Sequence, residues 1–250
     1  MDKKFLKWYR LFTGVIHGDK LKNHDWAVWQ AALASQQRET IDISELAMEG
    51  GKMKNITDID GNIYKTVKIG RQVWVAENLK VTHYRNGDPI SNITINRNWE
   101  KLKTGAYCNY NNDESYVPVY GRLYNWYAVN DVRGLAPEGW HVPTDEEWRT
   151  LVDYLGGNLI AGDKLKETGT ERWSSPNTGA TNESGFSGLP GGYRYYDGTF
   201  YYLGSYAYFW SASSYLGGYA WSRRLVYDCS DVRRYYSGMR GGFSVRCVRD

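Results

Sequence analysis

From Ser184 to Asp250 the chain contains no Lys, Glu, Gln, Asn, His or Ile. Every lysine lies at or before Lys166. That excludes a lysine-supported nucleic-acid surface in this last stretch, and the near balance of 31 basic and 28 acidic residues gives no bulk attraction to nucleic acid or to an anionic membrane. Cysteine is scarce as well. Cys108, Cys229 and Cys247 are an odd number at no metal-like spacing, which excludes a closed disulfide framework and a zinc site made of thiolates. One bridge at most is available, with Cys229 and Cys247 the nearer pair. Long apolar runs are missing too. The basic start at Lys3, Lys4 and Lys7 is followed by Arg10, His17, Asp19 and Lys20, so no signal peptide, lipid anchor or membrane span is expected.

What is present is an excess of aromatic residues, 16% of the chain, with most of the tyrosines between Tyr193 and Tyr236. Tyr and Trp offer large, stiff, amphipathic contact area, Arg a planar fork, and Ser and Gly adaptable hydrogen bonding. Interfaces concentrate their energetic anchors in Trp, Tyr and Arg. The composition is that of a recognition surface, although part of these tyrosines is expected to fill a β-rich core.

Two domains are expected. Residues 1–52 read as a helical segment: Phe5, Leu6, Tyr9 and Phe12 share one face of a short helix, and Trp26, Trp29, Ala32 and Leu33 one face of a second. So small a pair cannot bury its aromatics alone, so Phe5, Tyr9, Phe12, Trp26, Trp29 and Leu33 are expected to meet a partner or another copy of the chain. Residues 53–250 then change to strands and tight turns. Asp60-Gly61 and Asp197-Gly198 are two-residue hairpin signals, and Asn86-Gly87 marks a further turn. One helix is expected from Tyr120 to about Val129. Another starts at Thr144, forms a capping box with Glu147, and stops at Gly156 and Gly157. From Gly156 to Gly192 no period is sustained, so a long ordered loop region is expected. The stretches 205–212, 220–227 and 242–248 read as strands, the last with Phe243, Val245 and Cys247 on one face and Ser244 and Arg246 on the other.

Several strings then resemble one family. Thr57-Asp58-Ile59-Asp60-Gly61-Asn62, Ala76-Glu77-Asn78-Leu79-Lys80, Leu123-Tyr124-Asn125-Trp126-Tyr127-Ala128-Val129, Gly139-Trp140-His141-Val142-Pro143-Thr144, Leu189-Pro190-Gly191-Gly192-Tyr193-Arg194 and Gly242-Phe243-Ser244-Val245-Arg246-Cys247-Val248 follow the order of the Fibrobacter succinogenes major paralogous domain. The resemblance covers roughly Met53 to Asp250. It implies an α+β, C-type lectin-like fold of two helices, small antiparallel sheets and long loops, with the first and last strands side by side. It also implies a surface protein of gut Bacteroidetes or of their phages. Some relatives of this fold are diversified by retroelements that mutate adenines in codons near the C-terminus. Ser213 to Gly238 has no Lys, Glu, Gln or Met and only Trp221 among tryptophans, as such codons would leave it. The cysteine that many family members carry before the Pro-x-Gly-Trp-His stretch is Ala136 here.

These readings give a ligand-binding face of Tyr215, Tyr219, Ser222, Arg223, Arg224, Tyr227, Ser230, Asp231, Arg233, Arg234, Tyr235 and Tyr236. Four neighbouring arginines would repel one another unless spread out or opposed by an acidic ligand, such as a carboxylate-bearing capsule or an acidic protein. No metal, cofactor or catalysis is expected: the cysteines have no histidine partner in sequence, His141 reads as a buried structural histidine, and the Ser175-Pro176-Asn177 loop lacks the carboxylates of a calcium site. The expected protein is a virion fibre or decoration component. It would be oligomeric, held to other virion proteins through residues 1–52, and would bind a host-surface glycan or protein. A secreted or cell-surface Bacteroidetes protein is the alternative and a formylglycine-generating-like oxidase the third reading.

Overall fold

The structure, a computed structural model, describes residues 55–250 and the backbone of two short strands, β1 (Met48–Glu49) and β2 (Lys52–Met53). The fold below is that of the unit Met53–Asp250. The helices expected over 5–12 and 26–33, with their six partner-facing residues, lie outside the described residues.

β3 (Ile56–Thr57) and β4 (Ile63–Tyr64) form the first expected hairpin, with Ile56 opposite Tyr64. The turn is longer than two residues because Asp58 organises it. Its carboxylate accepts from the backbone N–H groups of Asp60 and Asn62 and from the Tyr64 hydroxyl at 2.6 Å. β5 (Thr66–Ile69) and β6 (Gln72–Val75) pair antiparallel. β7 (Ser91–Asn92), β8 (Ala106–Cys108) and β9 (Leu123–Tyr124) make a small mixed sheet. Far along the chain, β10 (Trp140–His141) and a C-terminal strand, Val248–Arg249, extend the β5–β6 sheet, with Val248 opposite Trp74. The beginning and end of the domain therefore lie side by side.

The five-stranded sheet runs β12-β11-β13-β14-β15, where β11 is Gly191–Arg194, β12 Phe200–Leu203, β13 Tyr206–Tyr215, β14 Tyr219–Val226 and β15 Arg233–Gly238. Its pairs are antiparallel except β11 with β13. The turn between β11 and β12 carries Gly198 at φ +92°, as the Asp197-Gly198 signal requires. The final strand is β16, the Val248–Arg249 strand named above.

Helices are short. α1 (Asn96–Glu100) is followed by α2 (Val117–Tyr120) and α3 (Trp126–Val129), so the single helix expected over 120–129 is instead a helix end, a strand and a new helix. Gly121, at φ +72°, ends α2 where a Cβ would come within 2.7 Å of the Asn78 side chain. Tyr124 then exchanges backbone hydrogen bonds with Phe243, and the Asn125 side chain caps α3 by accepting from the Ala128 N–H. Long-range pairing has overridden a local helical period. α4 (Asp145–Tyr154) has the expected capping box between Thr144 and Glu147. α5 (Ala161–Leu165) interrupts the loop region that follows.

The core lies between α4 and the inner face of the large sheet. Trp74, Trp148, Phe186 and Phe209 meet ring to ring, the closest pair at 4.9 Å, together with Leu151, Val152 and Leu225. Such pairs add about 0.5–1.5 kcal/mol each beyond area burial. Two cations are buried with them. Arg246, on the strand face opposite Phe243, Val245 and Cys247, has no exposure at all, and Ser244 on that same face is buried too. The Arg246 fork donates to Asn78 Oδ1 at 2.6 Å and to the carbonyls of Phe186 and Ser187 at 2.6 and 2.9 Å, and it lies over the Phe186 ring. The stretch 242–248 accordingly makes single bridges to Tyr124, Arg194 and Phe209 instead of one continuous strand. Lys166 is equally buried, its ammonium donating to the carbonyls of Thr178, Val226 and Cys229 at 2.7, 3.2 and 2.7 Å. That tie fastens the loop region to the end of β14.

Candidate functional site: the outer face of the five-stranded sheet

Successive side chains of a strand point to opposite faces, and directly paired residues share a face. The register sets Tyr208 opposite Arg224 and Arg224 opposite Arg233, while Phe209 opposes Arg223 and Arg223 opposes Arg234. The adjacent pairs Arg223-Arg224, Arg233-Arg234 and Tyr235-Tyr236 are therefore split between two sides of one sheet. The ligand-binding face read from the sequence as continuous is not brought together.

On the inner side, Arg223 is only 1% exposed and leaves the candidate face. Its Nη1 donates to Asp145 Oδ1 at 2.8 Å, and Arg234 Nη2 reaches Asp145 Oδ2 at 2.7 Å. Burial pushes the Asp145 carboxyl up, but the hydrogen bonds from Arg234 and Arg223 outweigh it and hold the group below the ordinary carboxylate range. Asp145 stands in the first turn of α4, where the helix dipole also favours a negative charge. Arg233 is satisfied separately by Asp231 at 2.7 Å. Of the two ways expected for four arginines to coexist, spreading out is the one seen for three of them: Arg223 and Arg234 share Asp145, and Arg233 takes Asp231. Ser222 is buried too, with its hydroxyl against Ser237. Tyr227 packs against the core, and Ser230 and Asp231 present their carbonyls to Gly162, where a Cβ would come within 2.8 Å of either oxygen; these three belong to the α5 end of the sheet.

Two exposed aromatic clusters remain. At the β13–β14 tip, Tyr215 stacks on Tyr236 at 4.8 Å, Tyr219 meets Tyr236 at 5.6 Å, and the Arg234 guanidinium lies 3.4 Å over Trp221. The larger cluster covers the outer face. Tyr202 stacks on Tyr206 at 4.3 Å and 10°, Tyr206 meets Tyr208 at 6.2 Å, and Tyr193 meets Tyr208 at 4.8 Å. Tyr195, Tyr196 and Tyr201 continue it across β11 and β12. Phe243, itself stacked on the buried Trp210 at 4.3 Å, roots the cluster in the interior. Arg224 sits within it, its guanidinium 4.5 Å from the Tyr235 ring centre and 5.2 Å from that of Tyr206.

Seven of these tyrosines, 193, 195, 196, 201, 202, 206 and 208, were missing from the sequence-based site, which began at Tyr215. The Asp197-Gly198 hairpin and the Tyr206, Tyr208 alternation were the signals that would have placed them on one sheet. Tyr202 also departs from ordinary backbone geometry. Its φ of +61° lies in the left-handed region, which costs a bulky residue about 1–2 kcal/mol, yet its ring is half exposed.

Elsewhere, His141 is partly exposed, not buried as expected. Its Nε2 pairs with Glu147 at 2.7 Å and its Nδ1 with Asp250 at 2.6 Å. The hydrogen bond to Glu147, against a smaller effect of burial, raises its pKa to about 9, so it is an imidazolium clamp. All three cysteines are free. Burial pushes the Cys108 thiol up to about 12 and Cys247 up as well, and burial with Asp228 raises Cys229. A cavity of about 200 Å³ lined by Asp58, His83, Arg85, Leu135 and Glu138 contains none of the candidate ligand-binding residues.

The model of the Fibrobacter succinogenes major domain matches residues 67–249. The chain belongs to this family. No curated protein matches it, and no solved structure does. The match to the major domain runs from β5 to β16 and so takes in both exposed aromatic clusters, the Asp145 clamp and the buried arginines. Membership points to a surface or ligand-binding protein. Among the described residues no helix is long and apolar enough to cross a membrane.

Proposed function

We propose that this chain is a non-enzymatic virion component, a head or tail fibre or decoration protein, whose C-type lectin-like domain presents a receptor-binding face to a host-surface glycan or protein. The observation that carries the reading is the contiguous tyrosine cluster on the outer face of the five-stranded sheet, rooted in the core through Phe243. Exposed apolar area of this kind on a rigid sheet is the mark of an interaction site. The lectin-like assignment is supported by the small sheets, the short helices, the long ordered loop region and the pairing of β16 with β6. The non-enzymatic reading is supported by thiols whose pKa values are raised where a nucleophile needs them lowered. Residues 1–52 would attach the domain to the particle and to sister copies, and codons 213–238 would be those that vary among isolates.

A secreted or cell-surface protein of a Bacteroidetes bacterium is the second reading, favoured by the family membership alone. Both use the same face, so the test has two parts. Labelled full-length chain should bind intact host cells and block adsorption of particles, and Tyr202→Ala with Tyr235→Ala should abolish both. Cell binding that survives these changes would remove the tyrosine face from the function. Finding the chain in bacterial envelopes and not in purified particles would replace the virion reading with the second.

A further inference from the structure

We infer that Arg224, Tyr208 and Tyr235 form a receptor for a carboxylate, and that the ligand is an acidic polysaccharide of uronic-acid type. The inference rests on the ligand-binding reading of this face and specifies what it binds. Arg224 Nη1 donates to the Tyr208 hydroxyl and Nη2 to the Tyr235 hydroxyl, both at 3.1 Å. A guanidinium has no acceptor to offer. Each phenol oxygen therefore takes a hydrogen from Arg224 and must direct its own O–H elsewhere. Burial raises the Tyr208 pKa against the opposing hydrogen bond from Arg224, so its proton stays in place. Two O–H donors are thus held side by side by the two nitrogens of one cation.

The charge of that cation is uncompensated. Unlike Arg223, Arg233 and Arg234, Arg224 makes no ion pair among the described residues, and its Nε is buried without a partner. Asp231 is committed to Arg233. Two O–H donors anchored on one positive charge suit the two oxygens of a carboxylate. The flat Tyr202–Tyr206 stack provides the area for a pyranose ring, and the left-handed backbone at Tyr202 is the conformation that holds that ring at the surface. A uronate carries ring and carboxylate on one residue.

The test is calorimetry on the full chain at neutral pH with oligogalacturonate, its methyl ester and poly-glutamate. The acid should bind, with the ester and poly-glutamate at least about 10-fold weaker, the ratio for one charge-assisted hydrogen bond of ~1.5 kcal/mol. Tyr208→Phe and Tyr235→Phe, which keep each ring, should each lower affinity for the acid by a similar factor, leave that for the ester unchanged and keep the melting temperature. Equal binding of acid and ester, or Phe variants that bind like the wild type, would overturn the carboxylate receptor while leaving the ligand-binding reading in place. Equal binding of poly-glutamate would overturn the assignment to a sugar. Binding of none of the three would overturn the inference outright, and Tyr202-dependent cell binding would then show separately that the face still serves another ligand.

Discussion

Replacing Asp145 with alanine should be among the most damaging single changes in the domain. Among the described residues its carboxylate is the only charged partner of Arg223, which is buried, and both of its oxygens also accept from Arg234. Removing one member of a buried pair strands the other and costs about 3–5 kcal/mol. Arg223 keeps hydrogen bonds to the carbonyls of Asp145 and Ser222, which favours the lower half of that range, while losing a first-turn acid from α4 adds about 0.3–1 kcal/mol. A loss of ~3–5 kcal/mol is therefore expected in equilibrium urea unfolding followed by tryptophan fluorescence. Arg234→Met should cost less than about 1 kcal/mol, because that side chain is 41% exposed and screened. The carboxyl is held below its ordinary 3.8, so its stabilisation is complete above that value and disappears as pH falls through the lower folded value. Asp145→Asn should lack this acid-sensitive part. A loss below about 1 kcal/mol for Asp145→Ala, or a larger effect at Arg234 than at Arg223, would refute the clamp.

Other outcomes follow from the same physics. His141, with its pKa raised to about 9 from 6.5, stabilises fully below the lower value and loses that contribution as pH climbs through the higher one, so the melting temperature should fall over this window in the wild type and stay flat in His141→Gln. A thiol reagent should label Cys229 alone in the native protein and all three cysteines after unfolding; rapid labelling of Cys108 or Cys247 would contradict their burial. Lys166→Met should take a donor from three carbonyls, of which only that of Val226 keeps another in the Cys229 N–H, cost about 2–4 kcal/mol, and open the region between Gly156 and Gly192 to limited proteolysis. Tyr202→Gly should leave stability within about 1 kcal/mol, since relief of the left-handed backbone offsets the lost ring stack, while ligand binding falls.

The parts legible in the sequence were those written in local chemistry. The Thr144-Glu147 capping box, the stop at Gly156 and Gly157, the Asp197-Gly198 turn and the strands of β13 and β14 all appear where turn and cap rules put them. The failures were long-range. Nothing near Leu123 and Tyr124 announces that Cys108 and Phe243 will claim their backbone, and nothing beside Arg246 announces that Asn78 and the Phe186 carbonyl will receive its fork. The candidate face failed for a related reason. A run such as Arg233-Arg234-Tyr235-Tyr236 reads as one polar aromatic patch, yet a strand deals its members alternately to two sides, and the acid that satisfies Arg234 comes from a helix far earlier in the chain.

That alternation also determines which positions can drift. In β15, Arg234 is tied to the helix through Asp145, whereas Tyr235 projects to the opposite side and is more than a third exposed. Within β14, Ala220, Ser222, Arg223 and Leu225 are buried, so substitutions that spare stability fall mainly at the tip residues and at the exposed outward positions. The same short stretch of gene thus encodes a buried frame interleaved with exposed positions. A change of specificity there need not touch the interactions that keep the domain folded.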